Sequence, residues 1–417
     1  MGRILAHGTG LGHDLPIPLF YAVAGGALAV FASFLAVGLL WPESRLRGAV
    51  AGRPAAVVGL IVDTPAIRWA LRLVVLAGAV YVVIAAATGP DDPHENPAAG
   101  YVYGVFWVGL PAASLLLGPV WRVVNPLRTV HEVGCRAVRN DACAGWYSPP
   151  AWLGYWPAAA GLFAFVWMEL VSPEPASTKT LLWFIGTYAL VQLTAAAVFG
   201  LRWFDRGDAF EAYSEVFGRL APLGRRRDGV IVVRNPLNSL DTVVAAPGLV
   251  AVVCLLLAST AFDSLTLTRE ASSVAAGTLG LLAAVAITAA LYLGCAAVAG
   301  AIVGQRDVSA GFVHSLIPIA AGYLIAHYFT VLVEETERAV VLTFGGNLMA
   351  AGSPFAPELV AAVQVLAIVT GHVLGVIAAH DRAVRLFEPR TAISGQIPLM
   401  VLMVIVTISG LSLLAVG

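Results

Sequence analysis

Charge is what this chain has least of. Asp, Glu, Lys and Arg together make up 12% of its 417 residues, about half the share a soluble domain carries. So few charges cannot clothe a water-facing surface of this size. Lysine is nearly absent: Lys179 stands alone beside 23 arginines, and the net charge of −1 leaves no basic surplus for nucleic acid. Cysteine is scarce too. Cys254 and Cys295 lie inside apolar runs, and Cys135 and Cys143 are eight apart, without the C-x-x-C spacing of zinc or redox sites. All four are expected to be unpaired thiols. There is no Walker loop, no G-x-S-x-G elbow and no H-E-x-x-H, which removes the sequence signatures of P-loop nucleotide hydrolysis, serine esterases and zinc proteases. Internal repeats are missing as well, which counts against carriers built from inverted repeats.

What fills the chain is hydrocarbon. Apolar residues make up 59% of it, and the mean hydropathy is +0.85. Ten runs are long enough to cross a bilayer at ~20 residues each. They are Leu19–Trp41, Trp69–Thr88, Gly100–Val120, Ala151–Val171, Leu181–Gly200, Val243–Phe262, Gly277–Gly304, Ser309–Val333, Pro357–His380 and Ser394–Val416. Pro247 and Gly248 delay the start of the sixth, and the short link Gln305–Val308 makes the seventh and eighth a tight hairpin. The expected fold is therefore all-α, a polytopic transmembrane helical bundle, with residues 1–417 forming one integral membrane domain.

Orientation follows from arginine, because positively charged loops stay in the cytoplasm. Alternating the loops through ten spans puts 20 positive residues on one side. Only Arg3, Lys179, Arg269 and Arg338 fall on the other. Both termini are then outside. The positive residues follow the first apolar run rather than precede it, which favours an uncleaved first helix over a signal peptide. The longest loop, 201–242, contains GDAFEAYSEVFGRLAP, where Phe210, Tyr213 and Phe217 recur at helical spacing. This predicts an amphipathic helix lying on the cytoplasmic membrane surface.

Ionisable residues inside spans are costly and usually mark function. His314 lies about a turn and a half inside the cytoplasmic end of the eighth span, and His327 is roughly 20 Å further out. The two point about 140° apart, so one site cannot use both. In the ninth span His372 and His380 share a broad face. His314, His372 and His380 can converge in the inner leaflet, with Asp381 either pairing with Arg382 or orienting His380 as carboxylates orient metal-bound imidazoles. An outer group comprises His327, Glu334, Glu335, Glu169 and Asp263, joined by His7, His13 and Asp14 from the N-terminal segment. Imidazole with carboxylate suits Zn²⁺, Mn²⁺ or Fe²⁺.

Each residue has a plainer reading. A histidine can serve an interhelical hydrogen bond, Glu334, Glu335 and Glu337 a solvated helix end, and Asp263 a cap. Arg122, after Trp121, reads as an interfacial anchor or as a contact to a lipid phosphate or anionic substrate. Met400 and Met403, one turn apart, suit core packing or Cu(I). Pro111 should kink the third span. Unequal histidine spacings in the eighth and ninth spans disfavour a double-haem core, while a single haem between His314 and a partner stays compatible.

Several stretches fall in an order similar to one family. They are AHG (Ala6–Gly8), DLPIP (Asp14–Pro18), YVYGVFWVGL (Tyr101–Leu110), NPLRTV (Asn125–Val130), YWPAAAGLFAFVWMELVSP (Tyr155–Pro173), FDSL (Phe262–Leu265), HSLIPIAAGYLIAHYFT (His314–Thr330) and GHVLGVIAAHDRA (Gly371–Ala383). Together they resemble the polytopic bacterial membrane proteins named after fenitrothion hydrolase, across nearly the whole chain. The chain departs from that pattern at Pro119, where an acidic residue is expected, and at Val124, where Phe is expected. The resemblance implies a bacterial inner-membrane protein and hydrolysis of a lipophilic organophosphorus triester drawn from the bilayer.

Such chemistry calls for a metal that polarises P=O and activates water. The candidate metal ligands are His7, His13, Glu169, Asp263 and His327, with Glu169 and His327 the candidate catalytic residues. The rival readings are a carrier whose buried histidines move protons or a transition metal, and a haem- or copper-handling respiratory subunit. No sequence feature sets how many copies associate.

Overall fold

The computed structural model describes residues 18–48, 50–137, 141–266, 273–345 and 355–413. His7, His13 and Asp14 lie outside the described residues.

Among the described residues, twelve of the longer helices carry the architecture. They are α1 (Leu19–Leu40), α2 (Pro65–Thr88), α3 (Ala98–Leu117), α4 (Pro126–Ala137), α5 (Trp156–Leu170), α6 (Thr178–Phe199), α7 (Ala209–Gly218), α8 (Leu249–Thr266), α9 (Val274–Val303), α10 (Val308–Phe344), α11 (Pro357–Leu386) and α12 (Ser394–Leu413). Eight of them, α1, α2, α3, α6, α9, α10, α11 and α12, are long and apolar enough to cross a membrane. The shorter apolar helices α5 and α8 stand where the fourth and sixth spans are expected. Helix α8 starts at Leu249, immediately after Gly248, whose φ of +81° only glycine adopts freely. Helix α9 is capped by Ser273, whose hydroxyl accepts from Ala276 N, and it ends at left-handed Gly304. Left-handed Asp307 then turns the chain straight into α10.

Burial sorts the helices. The apolar window of α10 is 67% buried, whereas that of α2 is 6% buried, so α10 is central and α2 peripheral. Lipid tails are as apolar as leucine, so close packing rather than hydrophobicity holds such helices together. The α10–α11 crossing shows this. Gly322, Gly371 and Gly375 lie so close to the facing backbone that a Cβ on them would stand 2.5, 2.6 and 2.8 Å from the carbonyl oxygens of Ala367, Pro318 and Ser315.

Pro111 acts on α3 as a proline should. It cannot donate to the carbonyl one turn back, and residues Tyr101–Val108 open into a π-helix, with Gly109 N–H donating to Gly104 O, five residues back. The freed Trp107 carbonyl accepts from the Tyr213 hydroxyl, at 3.4 Å. Departures from α to π geometry are frequent at functional sites.

The arginine-rich loops meet on one face. Two- and three-residue strands β1 (Arg53–Pro54), β2 (Leu223–Arg225) and β3 (Ile231–Val233) pair antiparallel in the order β1-β3-β2. This small sheet is an exception to the all-α expectation, built where two polar loops leave the bundle. Arg225 pairs with Asp63, and Arg72 with Glu132 at 2.7 Å. At the opposite face Asp91 accepts from Thr178 N and Oγ1.

Two expectations are corrected. The helix in loop 201–242 forms as α7, capped by Asp208, but it does not lie on the membrane surface. Phe210, Tyr213 and Phe217 are all buried. Tyr213 stacks on Trp107 with centroids 4.6 Å apart, and Phe210 packs edge-on against Phe106 and Phe165. The polar face is satisfied inside the protein, because Arg128 donates to Glu211 and Asn125 to Asp208. An amphipathic pattern reports two faces; it does not say that the polar one meets water. Likewise Glu335 is not part of a solvated end. It is 4% exposed, ion-paired with Arg338 at 2.9 Å, and packed on Gly100 and Gly104 of α3. Helix α10 simply runs on to Phe344.

Candidate functional site

Three helices bring three ionisable side chains together inside the bundle. Glu169 is one residue from the end of α5, Asp263 is near the end of α8, and His327 lies in the middle of α10. His327 Nε2 and Asp263 Oδ2 are 2.7 Å apart. A carboxylate only accepts, so Nε2–H donates and, in the neutral ring, Nδ1 keeps the lone pair. Asp263 is the charged neighbour of Glu169. Glu169 as a whole is partly exposed, yet its Oε2 is out of solvent and has no hydrogen-bond partner.

Aromatic side chains wall the group, and sequence reasoning missed them. Tyr328, next in the chain after His327, meets its ring edge-on at 4.7 Å and lies near Glu169, Asp263 and Tyr213. Trp107 Nε1, directed toward Glu169 and Tyr328, is buried without closing a hydrogen bond. Tyr103 sits beside Glu169 but spends its hydroxyl on Pro175 O, at 2.7 Å. Nothing in the sequence separates these aromatics from lipid-facing ones: Trp107 and Tyr328 stand in apolar runs, and Tyr213 in a stripe that reads as a membrane-surface helix.

Chemically, a carboxylate-held imidazole beside a second carboxyl can take up and hand on a proton at defined atoms. For a metal, Asp263 and His327 are adjacent, but zinc sites use three or more protein ligands. Among the described residues no three His, Cys, Asp or Glu side chains are disposed to hold one. The other two expected ligands, His7 and His13, lie outside the described residues.

The inner group does not converge on one point; each member ties a different part of the bundle. His314 is within 3.3 Å of Ala378 O on α11. His372 Nδ1 bonds Ile368 O on its own helix at 2.9 Å, its ring edge-on to Tyr323, and its buried Nε2 has no partner. His380 uses both nitrogens, on Gln396 Oε1 at 3.1 Å and Trp41 O at 2.9 Å. Asp381 does not orient His380. It accepts from Arg45 N (2.6 Å), Ser44 Oγ (2.8 Å), Leu46 N (3.1 Å), Trp41 Nε1 (3.2 Å) and Arg385 (3.2 Å), pinning the loop after α1. Of these three imidazoles, His372 is the one with a buried ring nitrogen, Nε2, left without a partner among the described residues.

Arg122 is exposed and pairs with Asp205 at 3.1 Å. Asp205 also holds Arg128, which in turn grips Glu211 at 2.7 Å. Burial pushes the Glu211 carboxyl up to about 7 against the pull of Arg128. Cys135, Cys143, Cys254 and Cys295 are all free thiols.

Fold and site together define a predominantly helical, multi-pass membrane protein with an ionisable centre among its helices. Compared with known proteins, the chain matches no family model, no curated protein and no solved structure. The resemblance to the fenitrothion hydrolase family therefore rests on the quoted motifs alone.

Proposed function

We propose that this is a bacterial inner-membrane protein that crosses the bilayer ten times, with both termini outside, and that Glu169, Asp263 and His327 form its proton-handling centre, as in a proton-coupled carrier of a lipophilic small molecule. Support for ten crossings comes from loop contacts. Helix α5 begins beside Arg206 of the arginine-rich face, where Tyr155 packs, and the segment after it meets Asp91 at the opposite face. Helix α8 likewise begins beside Tyr155, which donates its N–H to Pro247 O. These contacts support counting both short helices as crossings.

One observation carries the functional reading: the 2.7 Å Asp263–His327 bond, near the ends of apolar helices α5 and α8, beside a Glu169 carboxyl oxygen that is out of solvent and without a partner. Ionisable groups so placed are the usual parts of proton relays. Infrared difference spectra recorded between acid and alkaline buffer test the idea. A carboxyl band should disappear in Glu169→Gln and shift in His327→Gln. Identical spectra from wild type and Glu169→Gln reject it.

A second reading keeps the family resemblance. An imidazole oriented by Asp263 is also a general base for water, which triester hydrolysis requires, with Zn²⁺, Mn²⁺ or Fe²⁺ completed by His7 or His13. Turnover of a nitrophenyl phosphotriester, together with stoichiometric metal, both lost in His327→Ala and Glu169→Ala, supports hydrolysis over transport. Full turnover in these variants rejects them as its catalytic residues.

A further inference from the structure

The arginine-rich face contains a cavity of about 240 Å³, several times the space one water needs. Three guanidinium groups from three chain segments line it: Arg122 after α3, Arg206 ahead of α7, and Arg219 at the end of α7. Two carboxylates answer them. Asp205 takes Arg122, and Glu215 takes Arg219. Arg206 is left over. Among the described residues no carboxylate pairs with it, and its guanidinium lies 5.5 Å from the centroid of the Tyr155 ring, which also lines the cavity. Val243, Leu249 and Ile317 add an aliphatic wall to the lining; Leu249 opens α8 and Ile317 lies nine residues into α10, both buried within the protein.

We propose that this cavity binds a phosphate-ester anion, with Arg206 and Arg122 as its donors and Tyr155 as its floor. Three cations against two anions leave one positive charge, which favours an anion over a metal cation. Guanidinium groups suit phosphate because their forked N–H groups match two oxygens at once. The aliphatic wall fits the glycerol and first methylenes of a lipid. Basic cavities between helices on the cytoplasmic side are where anionic headgroups dock. The same chemistry also admits a free phosphate monoester. The site is separate from the Glu169 centre, because Tyr155 and Glu169 stand at opposite ends of α5, roughly 21 Å apart at ~1.5 Å per residue.

The test uses the full chain in a neutral detergent and follows thermal unfolding. Phosphatidylglycerol, phosphatidylcholine and inorganic phosphate are added in separate titrations. Stabilisation by phosphatidylglycerol but not by phosphatidylcholine or phosphate identifies a lipid headgroup as the source. Saturable stabilisation by inorganic phosphate, with no preference between the lipids, identifies a free phosphate. In either case Arg206→Gln should weaken the response roughly fivefold, the effect of one arginine near an anionic surface, and Arg206→Lys should restore part of it. Arg122→Gln provides a second variant if Arg206→Gln does not fold. No preference among the three additions in wild type overturns the proposal without any variant. So does a wild-type response that survives in both Gln variants.

Discussion

Gly371→Ala isolates the contact on which the central helix depends. The new Cβ would stand 2.6 Å from Pro318 O and 3.2 Å from Gly322 Cα, where ordinary contact begins at 3.4 Å. Both obstructing atoms are backbone, so no side chain can swing away. Helices α10 and α11 must part by about 0.8 Å, or bend. Overpacking of this kind costs about 1–3 kcal/mol. Replacing a helical glycine with alanine returns up to ~1 kcal/mol. The expected net loss is therefore about 0–2 kcal/mol, and the deficit against a helical glycine free to accept a methyl about 1–3 kcal/mol. Gly322→Ala meets Ala367 O at 2.5 Å in the same crossing. The double variant should then cost less than the sum, because the helices part only once. Gly186→Ala on α6 is the control: nothing lies within 4 Å of its Cβ position, so it should be neutral or gain up to ~1 kcal/mol. Equilibrium unfolding in bicelles measures all four. If Gly371→Ala is as stable as Gly186→Ala, the two backbones do not touch there and the account of the core is wrong.

Two further outcomes follow from buried charge. Asp381→Ala strands the two backbone N–H groups of Arg45 and Leu46 together with Ser44 and Arg385, at a cost of about 3 kcal/mol. Limited proteolysis should then cut within residues 41–48, and an uncut loop would refute the anchoring role. Glu211 sets a pH dependence. Its folded value of about 7 lies above the ordinary 4.5, so between those limits the folded chain holds a proton that the unfolded chain has released. Its contribution to stability is thus greatest below about pH 4.5 and is lost as pH rises to about 7. Glu211→Gln should flatten that slope in thermal melts across this range, and an unchanged slope would assign it to another group.

The apolar runs were legible because each helix must show hydrocarbon to lipid along its own length, a local requirement that composition records directly. The arginine bias was equally plain, and the loops it grouped do touch, as Arg225 with Asp63 and Arg385 with Asp241 show. Among the site residues, Glu169, Asp263 and His327 stood out because ionisable groups in apolar helices are rare. Their meeting on three helices is a tertiary fact. The aromatic wall of Trp107, Tyr213 and Tyr328 was not legible, since an aromatic residue in an apolar run looks the same whether it faces lipid or a carboxylate. The inner histidines were grouped by depth and angle alone. Their carbonyl partners, Ala378, Ile368 and Trp41, are backbone groups that no side-chain pattern announces.

The sequence by itself determined that the chain is helical and membrane-embedded, and it singled out the few polar residues that had to be accounted for. These properties depend on hydropathy summed over about twenty neighbouring residues. Only the tertiary structure decided that α7 is core rather than surface, that Asp263 holds His327 while Asp381 holds a loop, and that an arginine-lined cavity opens beside Tyr155. Those outcomes depend on which backbones can approach within a few ångströms. That is set by glycines, a proline and hydrogen-bond partners hundreds of residues apart.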